Sequence, residues 1–266
     1  MGQNACQSTA CPVELAPLRE PSASSATAHH NRTGDQVLAS FQTSTTGRPT
    51  VKIAAFFDVD NTLLPGTPSE VRFFRYLWRT GVVGWREAGA SLWWWLRHVP
   101  PVSLQPLRER KLYLTGKHPA EMESLAEAFC RAEVFPCLSV DGLAKLDAHR
   151  RQGHEIVLIT GSLDFLVQPL AAFLAVKAVL AARPERTVAG FTGWLMDPLP
   201  YGDGKRRLMA AFARQNGLDL GECYAYGDSP GDVEALRAVG HPMVVNPIRG
   251  MARIARRHGW PIVRWE

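Results

Sequence analysis

Phe56-Phe57-Asp58-Val59-Asp60-Asn61-Thr62-Leu63-Leu64 is the stretch on which the reading of this chain turns. The run from Val51 to Phe57 is apolar except for Lys52, long enough for one fully buried strand. Two carboxylates two positions apart then stand where that strand ends. Like charges a few ångströms apart repel by roughly 4 kcal/mol at an effective dielectric near 20, so a cation, a shared proton or a divergent geometry has to compensate them. Two readings follow. In one, Asp58 is a carboxylate nucleophile and Asp60 a general acid and base serving the same substrate atom. In the other, the strand ends in a polar turn and Asp60 or Asn61 caps the next helix. An isolated Asp-x-Asp does not choose between them, so the rest of the chain must.

The chain has 266 residues, 46% hydrophobic and 21% charged, which fits a soluble globular protein with one large core and room for a smaller module. A net charge of +5 favours anionic substrates or surfaces. Neither a recognition module nor a dense basic block accompanies it, so nucleic acid is not an expected partner. Cys6, Cys11, Cys130, Cys137 and Cys223 are odd in number, scattered and without a Cys-x-x-Cys. They read as reduced thiols of a cytoplasmic protein, not as a disulfide frame or a zinc site. No segment approaches the roughly 18 apolar residues that a bilayer-spanning helix needs.

Residues 1 to about 48, rich in Ser, Thr, Ala, Pro and Gln, have the composition of a disordered leader. His29-His30 and the Asn31-Arg32-Thr33 sequon fall within it. From Pro65 to Val134 the pattern is helical without a strand signal, with helices expected over 70–80, 84–98, 104–115 and 119–131. Such an insert after the first strand of an α/β pattern is read as a lid over that strand's carboxyl end. Trp85, Leu92 and Leu96 fall on one helical stripe and are expected in the lid's own core, while part of Trp93-Trp94-Trp95 must face outward, toward a pocket or a bilayer interface.

From Val140 strands and helices alternate. Strands are expected over 154–159, 176–180, 223–226, 242–246 and 262–264, and a small hairpin or edge strand over 187–195. Helices are expected over 141–152, 163–174, 205–216 and 251–258. The fold class that follows is α/β, a doubly wound parallel sheet with a small all-helical cap inserted after the first strand. Ligands of such sheets bind beyond the carboxyl ends of the strands.

Three strand ends carry chemistry of one kind. Asp58 and Asp60 close the first. Thr160-Gly161-Ser162 closes the second, with a hydroxyl and backbone N–H groups suited to an anion. Asp228 and Asp232, in Gly227-Asp228-Ser229-Pro230-Gly231-Asp232, would give a hard cation such as Mg2+ its oxygen ligands, although a turn followed by a helix-capping Asp has the same pattern. Lys205, in Gly202-Asp203-Gly204-Lys205, fits neither a phosphate loop nor a dinucleotide fingerprint. It reads as a point charge at a helix start, placed to pair with a phosphate and a nucleophile.

Taken in order, these elements resemble the haloacid dehalogenase superfamily of phosphohydrolases. The resemblance covers roughly residues 51–264 and rests on Asp58-Val59-Asp60-Asn61-Thr62-Leu63, Thr160-Gly161-Ser162, Lys205 and Gly227 to Asp232. The helical insert, Val239-Gly240-His241-Pro242 and Val245-Asn246-Pro247 make it similar to subfamily IB, which contains phosphoserine phosphatase. The resemblance implies a core of residues 49–64 and 135–266 with a cap over 65–134. It implies that Asp58 attacks phosphorus to form an aspartyl-phosphate, and that Asp60 protonates the leaving oxygen and then activates water. Thr160, Gly161 and Lys205 would hold the phosphoryl group. Mg2+ would be held by Asp58, the Asp60 carbonyl and Asp228, with Asp232 steadying the outer shell.

Phosphoserine phosphatase holds its substrate's amine with a glutamate nine residues after the nucleophile. Here that position is Thr67, and the nearest acid is Glu70. Arg108 or Arg110 is the cap arginine expected to meet the substrate. The expected substrate is therefore a small phosphomonoester with its leaving group unassigned. The alternatives are a lipid or lysolipid phosphatase using Trp93 to Trp95 and Arg253, Arg256 and Arg257 at a membrane, a phosphotransferase, and a non-catalytic phosphate-binding module.

Overall fold

Strand β1 (Ala54–Phe57) is buried along its whole length, and its residues alternate between two apolar layers, Ala55 and Phe57 in one and Ala54 and Phe56 in the other. A strand covered on both faces belongs in the middle of a parallel sheet flanked by helices. The computed structural model describes residues 52–85, 89, 93 and 110–266 and places it there. The other strands are β2 (Glu155–Leu163), β3 (Ala178–Thr187), β4 (Gly190–Met196), β5 (Tyr224–Gly227), β6 (His241–Val245) and β7 (Ile262–Val263), in the sheet order β4-β3-β2-β1-β5-β6-β7.

Helices cover both faces. Against Phe57 and Leu158 lie α1 (Ser69–Arg79), α2 (Pro119–Phe129), α3 (Val140–Arg151) and α4 (Asp164–Phe173), through Phe73, Leu77, Met122, Phe129, Leu146 and Phe165. Against Phe56 and Val157 lie α5 (Asp203–Asn216), α6 (Val233–Arg237) and α7 (Met251–His258), through Met209, Leu236, Met251 and Ala255. Full burial of each large apolar side chain contributes about 1.5–3 kcal/mol, so the two layers fix β1 from both sides. The residues from Arg48 to Glu266 form one compact unit.

The edge beyond β2 differs from the expected pattern. β3 runs on to Thr187 and turns through Val188 and Ala189 into an antiparallel β4, pairing Thr187 with Gly190. The strand extends past the expected 176–180 even though Ala181, Ala182 and Pro184 are poor strand formers. Pro184 sits where the register shifts, at the sheet's irregular edge, where a residue without an N–H is tolerated. The sheet is therefore parallel with one antiparallel edge strand.

The insert also departs from a purely helical pattern. Over the described part of the expected 104–115 helix, Arg110 bridges to Trp194 and Leu112–Leu114 forms a single 3-10 turn. Two N–H groups of this stretch go to β4, while those of Leu114, Thr115 and Lys117 bond within it. Lys111 donates to the Gly193 carbonyl at 2.6 Å and Gly116 to that of Phe191 at 2.8 Å. The 119–131 helix ends at Phe129 and passes into a π turn, Cys130–Val134. Of the expected 84–98 helix only Gly84, Trp85, Gly89 and Trp93 are described, and Trp85 and Trp93 are 83% and 61% exposed. Trp85 is thus not a core residue; it meets Trp78 edge-on, with ring centroids 4.9 Å apart. Leu92, Trp94, Trp95, Leu96, Arg108 and the expected leader lie outside the described residues. Among the described residues no helix is long and apolar enough to cross a membrane, and Cys130, Cys137 and Cys223 are free thiols.

Candidate active site

The neighbours β2, β1 and β5 run parallel, so their carboxyl ends come together. Asp58 follows β1 directly, its N–H donating to the Tyr226 carbonyl of β5 at 3.0 Å. The chain then folds back within six residues, with Asn61 donating its N–H to Leu64 at 2.7 Å and Leu64 donating to Val59 at 2.9 Å. Asn61 takes a left-handed conformation there (φ 58°), which asparagine tolerates better than most residues. Asp60 has partners of its own, separate from those of Asp58. Its Oδ1 accepts the N–H of Ser69 at the start of α1 (2.7 Å) and its Oδ2 accepts the Ser162 hydroxyl (2.9 Å). Asp60 is not the N-cap of α1, which is Pro68, but it does accept the N–H of that helix's first residue.

β2 was expected to stop at Ile159, yet it continues through Thr160-Gly161-Ser162 to Leu163. Ile159 pairs with Leu180 and Leu163 with Ala182, so β2 carries two extra residues across that interval. A bulge of this kind re-aims side chains at the end of a sheet. Thr160 and Ser162 are buried there, and the Thr160 Oγ1 accepts the Ser162 N–H at 3.1 Å.

Lys205 is the third residue of α5 and is buried. Its Nζ donates to Asp58 Oδ1 (2.6 Å), Asp232 Oδ1 (2.5 Å) and the Ile159 carbonyl (3.2 Å). The start of α5 comes this close because Gly204 lies on the Leu199 carbonyl; a Cβ there would stand 1.7 Å from that oxygen. Asp232 Oδ2 accepts the Ser229 N–H (3.1 Å) and hydroxyl (2.8 Å), so both of its oxygens are engaged. Gly227 leaves room for it, since a Cβ at 227 would fall 2.6 Å from that of Asp232. Asp228 Oδ2 accepts the Asn61 amide at 2.9 Å.

Asp58, Asp228 and Asp232 each offer a carboxylate oxygen, all within 4.8 Å of one another, and all three residues are buried. Burial pushes the Asp58 carboxyl well above the usual range; Lys205 pulls it down, and Asp232 and Asp228 push it up further. Burial likewise raises Asp228 to about 6, against the Asn61 hydrogen bond that lowers it. For Lys205 burial acts downward, but Asp232 and Asp58 together outweigh it and hold the ammonium above its ordinary value. Among the described residues of this cluster, three carboxylates therefore face one ammonium.

Asp58, Asp60, Thr160, Gly161, Lys205, Asp228 and Asp232 all line a single cavity of about 260 Å³. Arg110 is not brought to it. Its guanidinium lies over the Trp194 ring, 4.6 Å from the centroid, because residues 110–117 are laced to β4.

A family model described as haloacid dehalogenase-like hydrolase matches residues 55–237. The chain belongs to this family. It is 32% identical over 216 residues to a phosphoserine phosphatase of Mycobacterium tuberculosis, covering 79% of this chain and 70% of that protein. It is 26% identical over 223 residues to a histidinol-phosphatase of Neisseria meningitidis, covering 81% of this chain and all of that one. The crystal structure of a protein of unknown function from Bordetella pertussis superposes with a TM-score of 0.70 at 28% identity, over 80% of this chain and 99% of that one. This haloacid dehalogenase-like hydrolase is a phosphatase.

In this hydrolase the site also draws on residues that the sequence reading left unassigned. In sequence Ser162 is part of a strand end, and nothing around Ser69 marks it as a site residue. The Ser69 and Ser162 hydroxyls lie 2.7 Å apart, so a short relay runs from α1 through Ser162 to Asp60. Asn61 donates both to Asp228 and to the Asn246 carbonyl (2.9 Å each), tying the first loop to the fourth. An asparagine directly after Asp-x-Asp, where a left-handed turn is needed, was the available signal.

Proposed function

We propose that this phosphatase is a Mg2+-dependent phosphomonoester hydrolase that works through an aspartyl-phosphate on Asp58. The observation that carries the reading is the cavity in which Asp58, held by Lys205, stands beside an Asp60 that is bound at both oxygens and kept apart from the acidic cluster. An Asp58 oxygen attacks phosphorus, and the bond from phosphorus to the leaving oxygen breaks. Asp60 delivers a proton to that oxygen. It then takes a proton from the water whose oxygen attacks phosphorus, the bond to Asp58 breaks, and phosphate leaves. Lys205, the Thr160 hydroxyl and the Gly161 N–H hold the phosphoryl oxygens during both transfers.

The donor set suits a divalent cation. Three buried carboxyl groups face one buried ammonium, more acid than that cation can balance, and hard oxygen ligands are what Mg2+ prefers. Asp58, Asp228 and the Asp60 carbonyl would hold the ion, while Asp232, engaged by Lys205 and Ser229, steadies the ammonium. When bound, Mg2+ neutralises charge on the phosphoryl oxygens.

Residues 65–134 serve as the cap over a core of 49–64 and 135–266. The substrate is a small phosphorylated metabolite, the class of molecule on which the phosphatases among the relatives are named as acting. The free thiols Cys130, Cys137 and Cys223 favour a reducing, cytoplasmic setting. Phosphate release from a panel of phosphomonoesters tests the reading. Turnover is expected with Mg2+, to be lost with chelator and in Asp58→Asn. Full turnover by a folded Asp58→Asn would overturn it.

A further inference from the structure

The cavity around Asp58 does not end at Asp60. Asp60, Pro68 and Gly161 also line a second cavity of about 370 Å³, walled further by Glu70, Val71, Phe74, Lys111, Tyr113 and Ser162. Asp60 is thus common to both spaces. If Asp60 protonates the leaving oxygen, as the proposed function holds, the remainder of the substrate lies on the side of the second cavity.

Among the described residues, Glu70 and Lys111 in that space spend their charges on each other, and Asp60 is held by Ser69 and Ser162. Lys111 Nζ lies 2.7 Å from Glu70 Oε1 and 2.8 Å from Oε2, and the Tyr113 hydroxyl donates to Oε1 at 3.1 Å. The Glu70 and Lys111 side chains are only 21% and 15% exposed. Burial, reinforced by Glu70, holds the Tyr113 phenol well above its ordinary value, so it remains a donor. The pair is fixed from two directions: Glu70 sits in the first turn of α1, and the Lys111 backbone is pinned to Gly193. Pro68, Val71 and Phe74 supply apolar surface around it.

A substrate ammonium would need an unspent carboxylate here, and a substrate carboxylate an unspent cation. A substrate ammonium must compete with Lys111 for Glu70, and a substrate carboxylate with Glu70 for Lys111, and displacing either one leaves its partner partly buried with its charge uncompensated. We propose that the Glu70–Lys111–Tyr113 array is the specificity determinant of this phosphatase, and that it selects phosphomonoesters whose leaving group is uncharged and presents an apolar face. The array accepts such a group against Val71 and Phe74 and rejects charged ones.

The test is phosphate release at saturating Mg2+ from four esters of similar size: n-propyl phosphate, phosphoethanolamine, phosphoglycolate and phosphoserine. In wild type, kcat/KM for the propyl ester is expected to exceed that for each charged ester by about tenfold or more, a difference of about 1.4 kcal/mol. Lys111→Met, which frees Glu70, is expected to raise phosphoethanolamine relative to the propyl ester by a similar factor, and Glu70→Gln to do the same for phosphoglycolate. A wild type that prefers any charged ester would overturn the proposal even if neither variant folds, as would ratios unmoved in two folded variants. Absence of release from every ester would instead remove the phosphatase chemistry on which the proposal rests, and the proposal with it.

Discussion

Ser162 Oγ donates to Asp60 Oδ2 over 2.9 Å, from a bulged strand to a loop a hundred residues earlier in the chain. With Ser69 holding the other oxygen, the carboxylate has one orientation. Ser162→Ala is expected to lower kcat about tenfold, about 1.4 kcal/mol of barrier, with KM little changed. Steady-state kinetics on the best ester checks this. An unchanged kcat would mean that Ser69 alone orients Asp60.

Asn61 combines a left-handed backbone with hydrogen bonds to Asp228 and Asn246. Asn61→Gly removes the hydrogen bonds and keeps the backbone comfortable, whereas Asn61→Ala loses both. The alanine variant is expected to be less stable than the glycine variant by about 1 kcal/mol, read from urea unfolding. Equal stability would show that the loop relaxes out of its left-handed turn.

Lys205 is the ammonium within a cluster of buried carboxylates. Lys205→Met is expected to cost about 3–5 kcal/mol of stability in chelator, as for any buried pair that loses one member. Mg2+ is expected to recover more stability in the variant than it adds to wild type. Urea midpoints with and without the cation measure both effects.

His149, on α3, packs against Phe57 and Tyr226, its Nε2 2.6 Å from the Tyr226 hydroxyl and its Nδ1 2.8 Å from that of His154. Burial, with Lys145 and His154 adding to it, lowers its pKa from 6.5 to about 4. The folded state therefore refuses a proton that the unfolded chain accepts between these values. Its contribution is intact above pH 6.5 and is lost as pH falls toward 4, by up to about 3 kcal/mol. Unfolding across that range should be less steeply pH-dependent in His149→Gln than in wild type.

Much of the α/β core was legible because its signals are local. The apolar run into Asp58, the strand into Thr160-Gly161-Ser162 and the turn after Gly227 each announce a strand end, and adjacency in the sheet brings those ends together. What escaped depends on pairing between distant segments. The β2 bulge exists only against β3, and in the 110–117 segment two N–H groups go to β4. Pro184 hid the longer β3. Ser162 and Ser69 lie far apart in sequence and meet only once α1 is packed over β2.

Covalent capture of the phosphoryl group tests the central claim most directly. Asp60→Asn, which should accept a phosphoryl group on Asp58 more readily than it can release it to water, is mixed with a radiolabelled ester and Mg2+, quenched in acid and digested. Label that hydroxylamine removes, located on the peptide containing Asp58 and absent from the Asp58→Asn protein, is the predicted result. An enzyme that turns over the ester while no label is ever held at Asp58, and that keeps its activity in Asp58→Asn, would contradict the account.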